Sequence, residues 1–219
     1  MHKILFLSDP HLCTPGKTII GLDPTARTKA VLEAAIADHA DADAMILLGD
    51  LAHHGAVEAY QTLQNLLTHV PMSVVPMMGN HDRRDAFLQV FTDVPQSAEG
   101  HIQHVLDIGN TRIITLDSLD GPPYDDTHHS GKLCPARMAF LEDALGTRDG
   151  RQALVCIHHP PFDTGIVGMD KIKLVDGDAF LDTLARHGNL HLICGHIHRT
   201  MSGSTYGVPW SMFKSPCHQ

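Results

Sequence analysis

Short apolar segments alternate with longer amphipathic segments along most of this sequence. Each apolar segment has the length of a β-strand and is bounded by turn-forming residues. The segments predicted to be strands are Ile4–Ser8, Ala44–Leu48, Ser73–Met77, Ile102–Asp107, Thr111–Leu116, Ala153–Ile157 and Leu190–Cys194. The segments predicted to be helices are Pro24–Ala40, Val57–His69, Arg84–Phe91, Arg137–Leu145 and Ala179–His187. This repeated alternation predicts an α/β domain with a largely parallel order of strands.

The length and composition suit one domain. The chain has 219 residues, of which 43% are hydrophobic and 19% are charged, and it contains no repeat, linker or low-complexity tract. A core of this size does not require two domains, so residues 1–219 are predicted to form one. Within it, Ile108–Gly109–Asn110 is predicted to be a hairpin turn, and Asp117–Lys132 and Pro160–Lys173 are predicted to be surface loops.

Charge and cysteine usage narrow the class of protein. The 16 basic and 25 acidic residues give a net charge of −9, and there is no run of Lys and Arg, which argues against binding of long nucleic acid. The five cysteines form no CxxC pair, which favours a reducing compartment. Ile4–Leu7 is too short for the core of a signal peptide, and no stretch approaches the roughly 20 apolar residues of a membrane span. We therefore expect a cytoplasmic protein without membrane contact.

Side chains that can bind metal follow five of the predicted strands. The five motifs, in order, are Ser8–Asp9–Pro10–His11, Gly49–Asp50, Gly79–Asn80–His81–Asp82, His158–His159–Pro160–Pro161 and Gly195–His196–Ile197–His198. The carboxyl ends of strands form the ligand-binding edge of an open α/β sheet, and these side chains include no thiolate. The candidate ligands are Asp9, His11, Asp50, Asn80, His158, His196 and His198. Seven groups exceed the needs of one ion and predict two ions that share a carboxylate.

Each motif taken alone has a simpler interpretation. Asp9-x-His11 could be a turn with a solvated histidine, and Asn80–His81–Asp82 could cap a helix. The pair His158–His159 could simply end a strand. The His196-x-His198 spacing is harder to explain in this way, because alternation in an extended segment points both imidazoles to the same side. The five motifs together, in this order, favour a metal site.

The same five motifs resemble the signature blocks of the calcineurin-like metallophosphoesterase superfamily and extend over residues 9–198. Gly21–Leu22–Asp23 and the His-His-Pro-Pro block are similar to its class III cyclic-nucleotide and glycerophosphodiester phosphodiesterases. The resemblance implies a four-layer αββα sandwich, in which helices flank two central mixed sheets. It also implies that Asp50 bridges two metal ions. One ion would be held by Asp9, His11, Asp50 and His198, and the other by Asp50, Asn80, His158 and His196.

The expected function is that of a dinuclear metal-dependent phosphodiesterase. Its substrates would be small phosphodiesters such as 3',5'-cyclic AMP or glycerophosphodiesters, attacked by hydroxide held by two divalent ions (Fe, Mn, Zn or Co). His81 is the candidate catalytic group, since it follows Asn80 and is not needed as a ligand; its alternative role is to orient a ligand. Asp82 is expected to be structural or to support a ligand. His53 and His54 follow Asp50 closely enough to reach a substrate, but we expect them to be solvated loop histidines.

Two alternatives to this function stay open. One is a metallophosphoesterase of another specificity, such as a phosphomonoesterase or a nuclease, and the other is a non-catalytic metal-binding scaffold for protein interaction.

Members of this subgroup commonly continue past the last histidine block, with an extension used in dimerisation or in capping the site. This sequence ends at Cys217–His218–Gln219, so a naturally short chain, an absent C-terminal part and a homo-oligomer are all compatible with it.

Overall fold

Two β-sheets form the centre of the computed structural model, which describes residues 2–125 and 127–218. The smaller sheet has three parallel strands in the order β1 (Ile4–Leu7), β2 (Ala44–Leu47) and β3 (Ser73–Pro76). The strands of the larger sheet are β4 (His104–Ile108), β5 (Thr111–Leu116), β6 (Gln152–Ile157), β7 (Leu190–Cys194), β8 (Met201–Thr205) and β9 (Val208–Met212). Their order in space is β4-β5-β6-β7-β9-β8.

The larger sheet is mixed, whereas the smaller one is parallel throughout. Strands β4 and β5 pair antiparallel, as do β8 and β9, while β5, β6, β7 and β9 run parallel to one another. The helices are α1 (Pro24–His39), α2 (Val57–Leu67), α3 (Arg84–Leu88), α4 (Pro135–Gly146), α5 (Val167–Asp170) and α6 (Gly177–His187). Among the described helices, none has the length and apolar character needed to cross a membrane.

The alternation of side chains along the central strands produces the layers. In β2, Met45 and Leu47 pack with helix residues such as Leu32 of α1, whereas Ala44 and Ile46 pack against the larger sheet. In β6, Cys156 faces the smaller sheet and Val155 packs with residues of α4 and α6. Both faces of each sheet are therefore covered, and this arrangement confirms the predicted αββα sandwich.

Helix α1 begins where its capping residues predict. The Asp23 Oδ1 atom accepts hydrogen bonds from the backbone N–H groups of Thr25 (2.9 Å) and Ala26 (3.1 Å), and Pro24 occupies the first helical position. This cap fixes the end of the long connection between β1 and α1. The first part of that connection carries two candidate ligands, Asp9 and His11.

Two parts of the fold were not predicted from the sequence. The hairpin of β8 and β9 escaped prediction because β8 is an edge strand built from small and polar residues, Ser202–Gly203–Ser204 among them, without an apolar alternation. The short helix α5 lies inside the segment predicted to be a loop, residues 160–173, and one turn is too short to show a helical period.

Candidate metal centre

The loops that follow β1, β2, β3, β6 and β7 bring the seven candidate ligands together. Asp50 lies at the centre of the cluster, because its Oδ2 atom is 3.3 Å from His11 Nε2 and 3.4 Å from His158 Nε2. His158 Nε2 also lies 3.2 Å from Asn80 Oδ1. Asp50 thus contacts ring nitrogens from two different loops, those that follow β1 and β6.

One half of the cluster contains the side chains of Asp9, His11, Asp50 and His198. Their ligand atoms all lie within 4.8 Å of one another. His198 Nδ1 donates to the carbonyl oxygen of His218 (2.9 Å), so a neutral His198 directs the lone pair of Nε2 into the cluster. That Nε2 atom is 3.0 Å from His11 Nε2 and 3.4 Å from Asp9 Oδ1. Nitrogen and carboxylate atoms that converge in this way can hold a divalent cation.

The other half contains His158 and His196 beside Asp50 and Asn80. His158 Nδ1 donates to the carbonyl oxygen of Leu48 (2.7 Å), which leaves Nε2 free to face Asp50 and Asn80. His196 Nε2 is buried and has no hydrogen-bond partner among residues 2–125 and 127–218. A buried ring nitrogen without a partner is costly, and a metal ion would satisfy it. The donor set therefore fits a metal ion on this side as well.

His159, the residue after His158, makes its hydrogen bonds outside the cluster. Its Nε2 atom donates to the carbonyl oxygen of His129 (3.1 Å), and its Nδ1 atom is 2.8 Å from the Ser118 hydroxyl. Both ring nitrogens thus have protein partners, although His158, His159 and His196 form a compact group that could be taken for a metal site. His159 supports the site from outside, by joining the loops after β5 and β6.

The backbone at the site adopts conformations that few side chains tolerate. Five of the candidate ligands have positive φ angles, namely Asp9 (52°), His11 (48°), Asp50 (48°), His196 (70°) and His198 (56°). Non-glycine residues rarely occupy this region, and they concentrate at functional sites. Gly49 has a φ of 89°, and a Cβ atom there would lie 2.5 Å from His158 Nδ1. The glycine of the Gly49–Asp50 motif is therefore required both for its dihedral angle and for space.

Burial and mutual charge set the protonation of the cluster. Burial opposes ionisation of Asp50, but the positive charges of the neighbouring histidines hold its pKa well below the usual value. The pKa values of His11 and His196 fall to about 3, chiefly because of burial. Burial also disfavours the cation of His158, yet the carboxylates of Asp50 and Asp9 raise its pKa to about 9. Burial likewise opposes the cation of His198, but its hydrogen bond to Asp9 and the charges of Asp9 and Asp50 raise its pKa. Without a metal ion, the carboxylates thus favour positive charge on both His158 and His198.

His81 and Asp82 follow Asn80 directly in the chain, and both contact the segment that carries Asp50. The Asp82 carboxylate accepts hydrogen bonds from the backbone N–H groups of Leu51 (3.1 Å), Ala52 (3.0 Å) and Gly79 (2.9 Å), which confirms the expected structural role. The backbone N–H of His81 donates to Asp50 Oδ1 (2.9 Å). The His81 ring lines the cleft above the cluster, as a catalytic or ligand-orienting group must.

Three further histidines, outside the candidate ligands and His81, also reach this cleft. They are His53, His129 and His218. The interpretation of His53 as a solvated loop residue is wrong, because its ring lies against both His11 and His81. His54 is exposed, as expected. His129 and His218 follow no strand directly, so only the tertiary structure places them here.

The cleft extends to both sides of the cluster. On one side, a cavity of about 360 Å³ is bounded by an apolar wall made of Ile166, Met169, Ile172 and Ile197. On the other side, a second cavity of about 470 Å³ shares His53, Asn80, His81 and His129 with the first. Its far end is polar and includes Asp120, Tyr124, Asp125 and His128. Both volumes lie within the usual range of small-molecule sites.

Comparison with known proteins agrees with this architecture. A probable cyclic nucleotide phosphodiesterase of Rhodopseudomonas palustris is 40% identical over 219 residues, which are 99% of this chain and 79% of that protein. A probable glycerophosphodiester phosphodiesterase of Arcobacter nitrofigilis is 32% identical over 183 residues, or 81% of this chain and 64% of that protein. The crystal structure of a dimetal phosphatase from Danio rerio shares the fold, with a TM-score of 0.76, 13% identity and coverage of 99% of this chain and 88% of that one. The sequence profile described as calcineurin-like phosphoesterase matches residues 2–200, and this chain belongs to that family.

Proposed function

We propose that this protein is a metal-dependent phosphodiesterase that hydrolyses small phosphodiesters of the cyclic-nucleotide and glycerophosphodiester class. One observation carries the proposal: buried carboxylate, amide and imidazole groups converge at the base of a cleft, and the buried Nε2 atom of His196 has no partner among the described residues. The names of the two bacterial relatives support a diester as substrate.

The proposed ligand sets follow the two halves of the cluster. Asp9, His11, Asp50 and His198 would hold one divalent ion, and Asp50, Asn80, His158 and His196 would hold the other. Mixed nitrogen and oxygen ligands without sulfur suit Fe, Mn, Zn or Co. Ions bound there would lower the pKa of water toward about 7 and neutralise charge on the phosphoryl oxygens. The two carboxylates, Asp9 and Asp50, compensate only part of that positive charge, which favours an anionic substrate.

His81 is positioned to act on the substrate rather than on a metal ion. Its Nδ1 atom donates to the carbonyl oxygen of His53 (2.8 Å), so the proton of the neutral ring is held on Nδ1. In the neutral form, Nε2 can only accept a hydrogen bond. Donation from Nε2 to a phosphoryl oxygen, or to the departing alkoxide, requires the imidazolium form. We therefore propose His81 as the general acid, acting in its imidazolium form.

The cleft offers a separate environment to each ester group of a diester. The apolar wall suits an aromatic or other apolar ester group, and the polar end of the cleft suits hydroxyl-bearing groups. Neither described cavity carries a series of Lys or Arg side chains, which a polynucleotide would require. These features favour a small substrate that fills one or both sides of the cluster.

The proposal can be tested with protein that is stripped by a chelator and then reloaded with Mn²⁺, Fe²⁺, Co²⁺ or Zn²⁺. The substrates would be bis(p-nitrophenyl) phosphate, p-nitrophenyl phosphate, cyclic AMP, a glycerophosphodiester and single-stranded DNA. We expect kcat/KM for the best diester to exceed that for the monoester by about tenfold or more. A preference for p-nitrophenyl phosphate, or hydrolysis of DNA in place of the small diesters, would contradict the proposal.

A further inference from the structure

We infer that His53 is a positioning residue that fixes the tautomer and the orientation of His11. The inference rests on the proposed role of His11 as a metal ligand. It assigns a function to a histidine that lies outside the five strand-end motifs. The evidence is the set of contacts that join His53 to its two histidine neighbours, His11 and His81.

His53 is held firmly in the loop that follows β2. Its backbone N–H donates to the carbonyl oxygen of Leu12 (2.9 Å), which ties this loop to the one that carries His11. Its ring stacks on the ring of His81, with centroids 5.1 Å apart and planes inclined by 11°. Its carbonyl oxygen accepts the Nδ1–H of His81 (2.8 Å). The His53 ring is therefore fixed in position and not free to turn in solvent.

The contact between His53 and His11 determines which ring nitrogen of each neutral histidine carries the proton. His11 Nε2 faces the cluster, so its lone pair must be free for a metal ion and its proton must lie on Nδ1. His11 Nδ1 lies 3.2 Å from His53 Nδ1. A hydrogen bond between these two atoms needs one donor and one acceptor, so His53 Nδ1 accepts the proton of His11. The remaining proton of a neutral His53 is then on Nε2.

The contact between His53 and His11 can be removed by substitution, unlike the corresponding contacts of the candidate ligands His158 and His198. His158 and His198 donate their Nδ1–H groups to backbone carbonyl oxygens, those of Leu48 and His218. A backbone acceptor is present whatever the side chain is. The partner of His11, in contrast, is a side-chain nitrogen, so a single substitution at position 53 removes it. The carbonyl oxygen that holds His81 stays in place in every such variant.

The test compares H53L, H53N and the control H69A. In H53L the acceptor is lost, and we expect Mn²⁺ affinity at the site that contains His11 to fall by about 10- to 100-fold. In H53N the side-chain oxygen lies two bonds from Cβ, as Nδ1 of histidine does, so we expect affinity to return to within about threefold of the wild type. His69 is exposed just after the end of α2, away from the cluster, so H69A should bind Mn²⁺ like the wild type. Calorimetric titration of chelator-stripped protein gives the affinities, and circular dichroism confirms that each variant is folded.

Two results would overturn the inference. If H53L bound both ions as tightly as the wild type, the contact with His11 would have no positioning role. If H53N were as weak as H53L, the shape of the ring and not its acceptor would be what matters. Failure of the wild-type protein itself to bind Mn²⁺, Fe²⁺, Co²⁺ or Zn²⁺ would instead contradict the proposed function.

Discussion

Arg84 and Asp117 form a bidentate ion pair in the interior of the protein. Arg84 Nε lies 2.6 Å from Asp117 Oδ2, and Arg84 Nη2 lies 2.8 Å from Asp117 Oδ1. The guanidinium also donates to the carbonyl oxygens of Leu119 (2.6 Å) and Gly121 (2.5 Å). Because Arg84 begins α3 and Asp117 follows β5, the pair joins the loop behind His81 to the loop that leads to the polar side of the cleft.

The substitution R84M should strongly destabilise the fold. It would leave the Asp117 carboxylate buried without its cation, and removal of one partner of a buried pair costs about 3–5 kcal/mol. The matched control is R186M, because Arg186 pairs with Glu142 at 2.9 Å while the two side chains are 63% and 42% exposed. That change should cost about 1 kcal/mol or less. Urea unfolding gives the free energy of unfolding of both variants. An equal decrease in the two would mean that the buried pair stabilises the fold no more than the exposed pair does.

The variants N80A and H81A should separate metal binding from proton transfer. Asn80 Oδ1 lies beside His158 Nε2 in the cluster, so N80A should lower the metal content and abolish turnover while the fold remains intact. H81A should retain both ions and lower kcat by about 10²–10⁴-fold, the usual contribution of a general acid. Metal analysis of purified protein with steady-state kinetics would distinguish the two. Loss of an ion in H81A would mean that His81 orients a ligand instead.

The strand-end ligands could be predicted because their signal is local in sequence. An apolar run followed by Gly-Asp or Gly-His defines both the strand and the residue at its carboxyl end, as at Gly49–Asp50 and Gly195–His196. The contacts that organise the site are long-range instead. His53 meets His11 across 42 positions, and the carbonyl of His218 meets His198 across 20. The spacing of apolar residues along the sequence carries no information about such pairs. Their contacts could therefore be identified only from the three-dimensional structure.

The apolar wall of the cleft should determine affinity for substrates with large ester groups. The substitution I172S removes apolar surface from this wall, and we expect KM for cyclic AMP to rise by about fivefold with kcat little changed. KM for a glycerophosphodiester with small ester groups should change by less than about twofold. V31S, on the exposed side of α1, is the control. Equal increases of KM for both substrates would argue that the wall does not contact the ester group.

Metal binding should release a proton from His158. In the metal-free protein, Asp50 and Asp9 overcome the effect of burial and raise the pKa of His158 to about 9, so the ring is protonated at neutral pH. A ligand must offer a neutral imidazole, and the ion therefore displaces this proton. Displacement of the His158 proton should make the apparent affinity of this site rise by about tenfold per pH unit below pH 9. Above pH 9 His158 is already neutral and contributes no further pH dependence. Calorimetry at pH 7 in two buffers of different ionisation enthalpy measures the protons released. A value near zero would show that His158 is already neutral and that the carboxylates do not hold its proton.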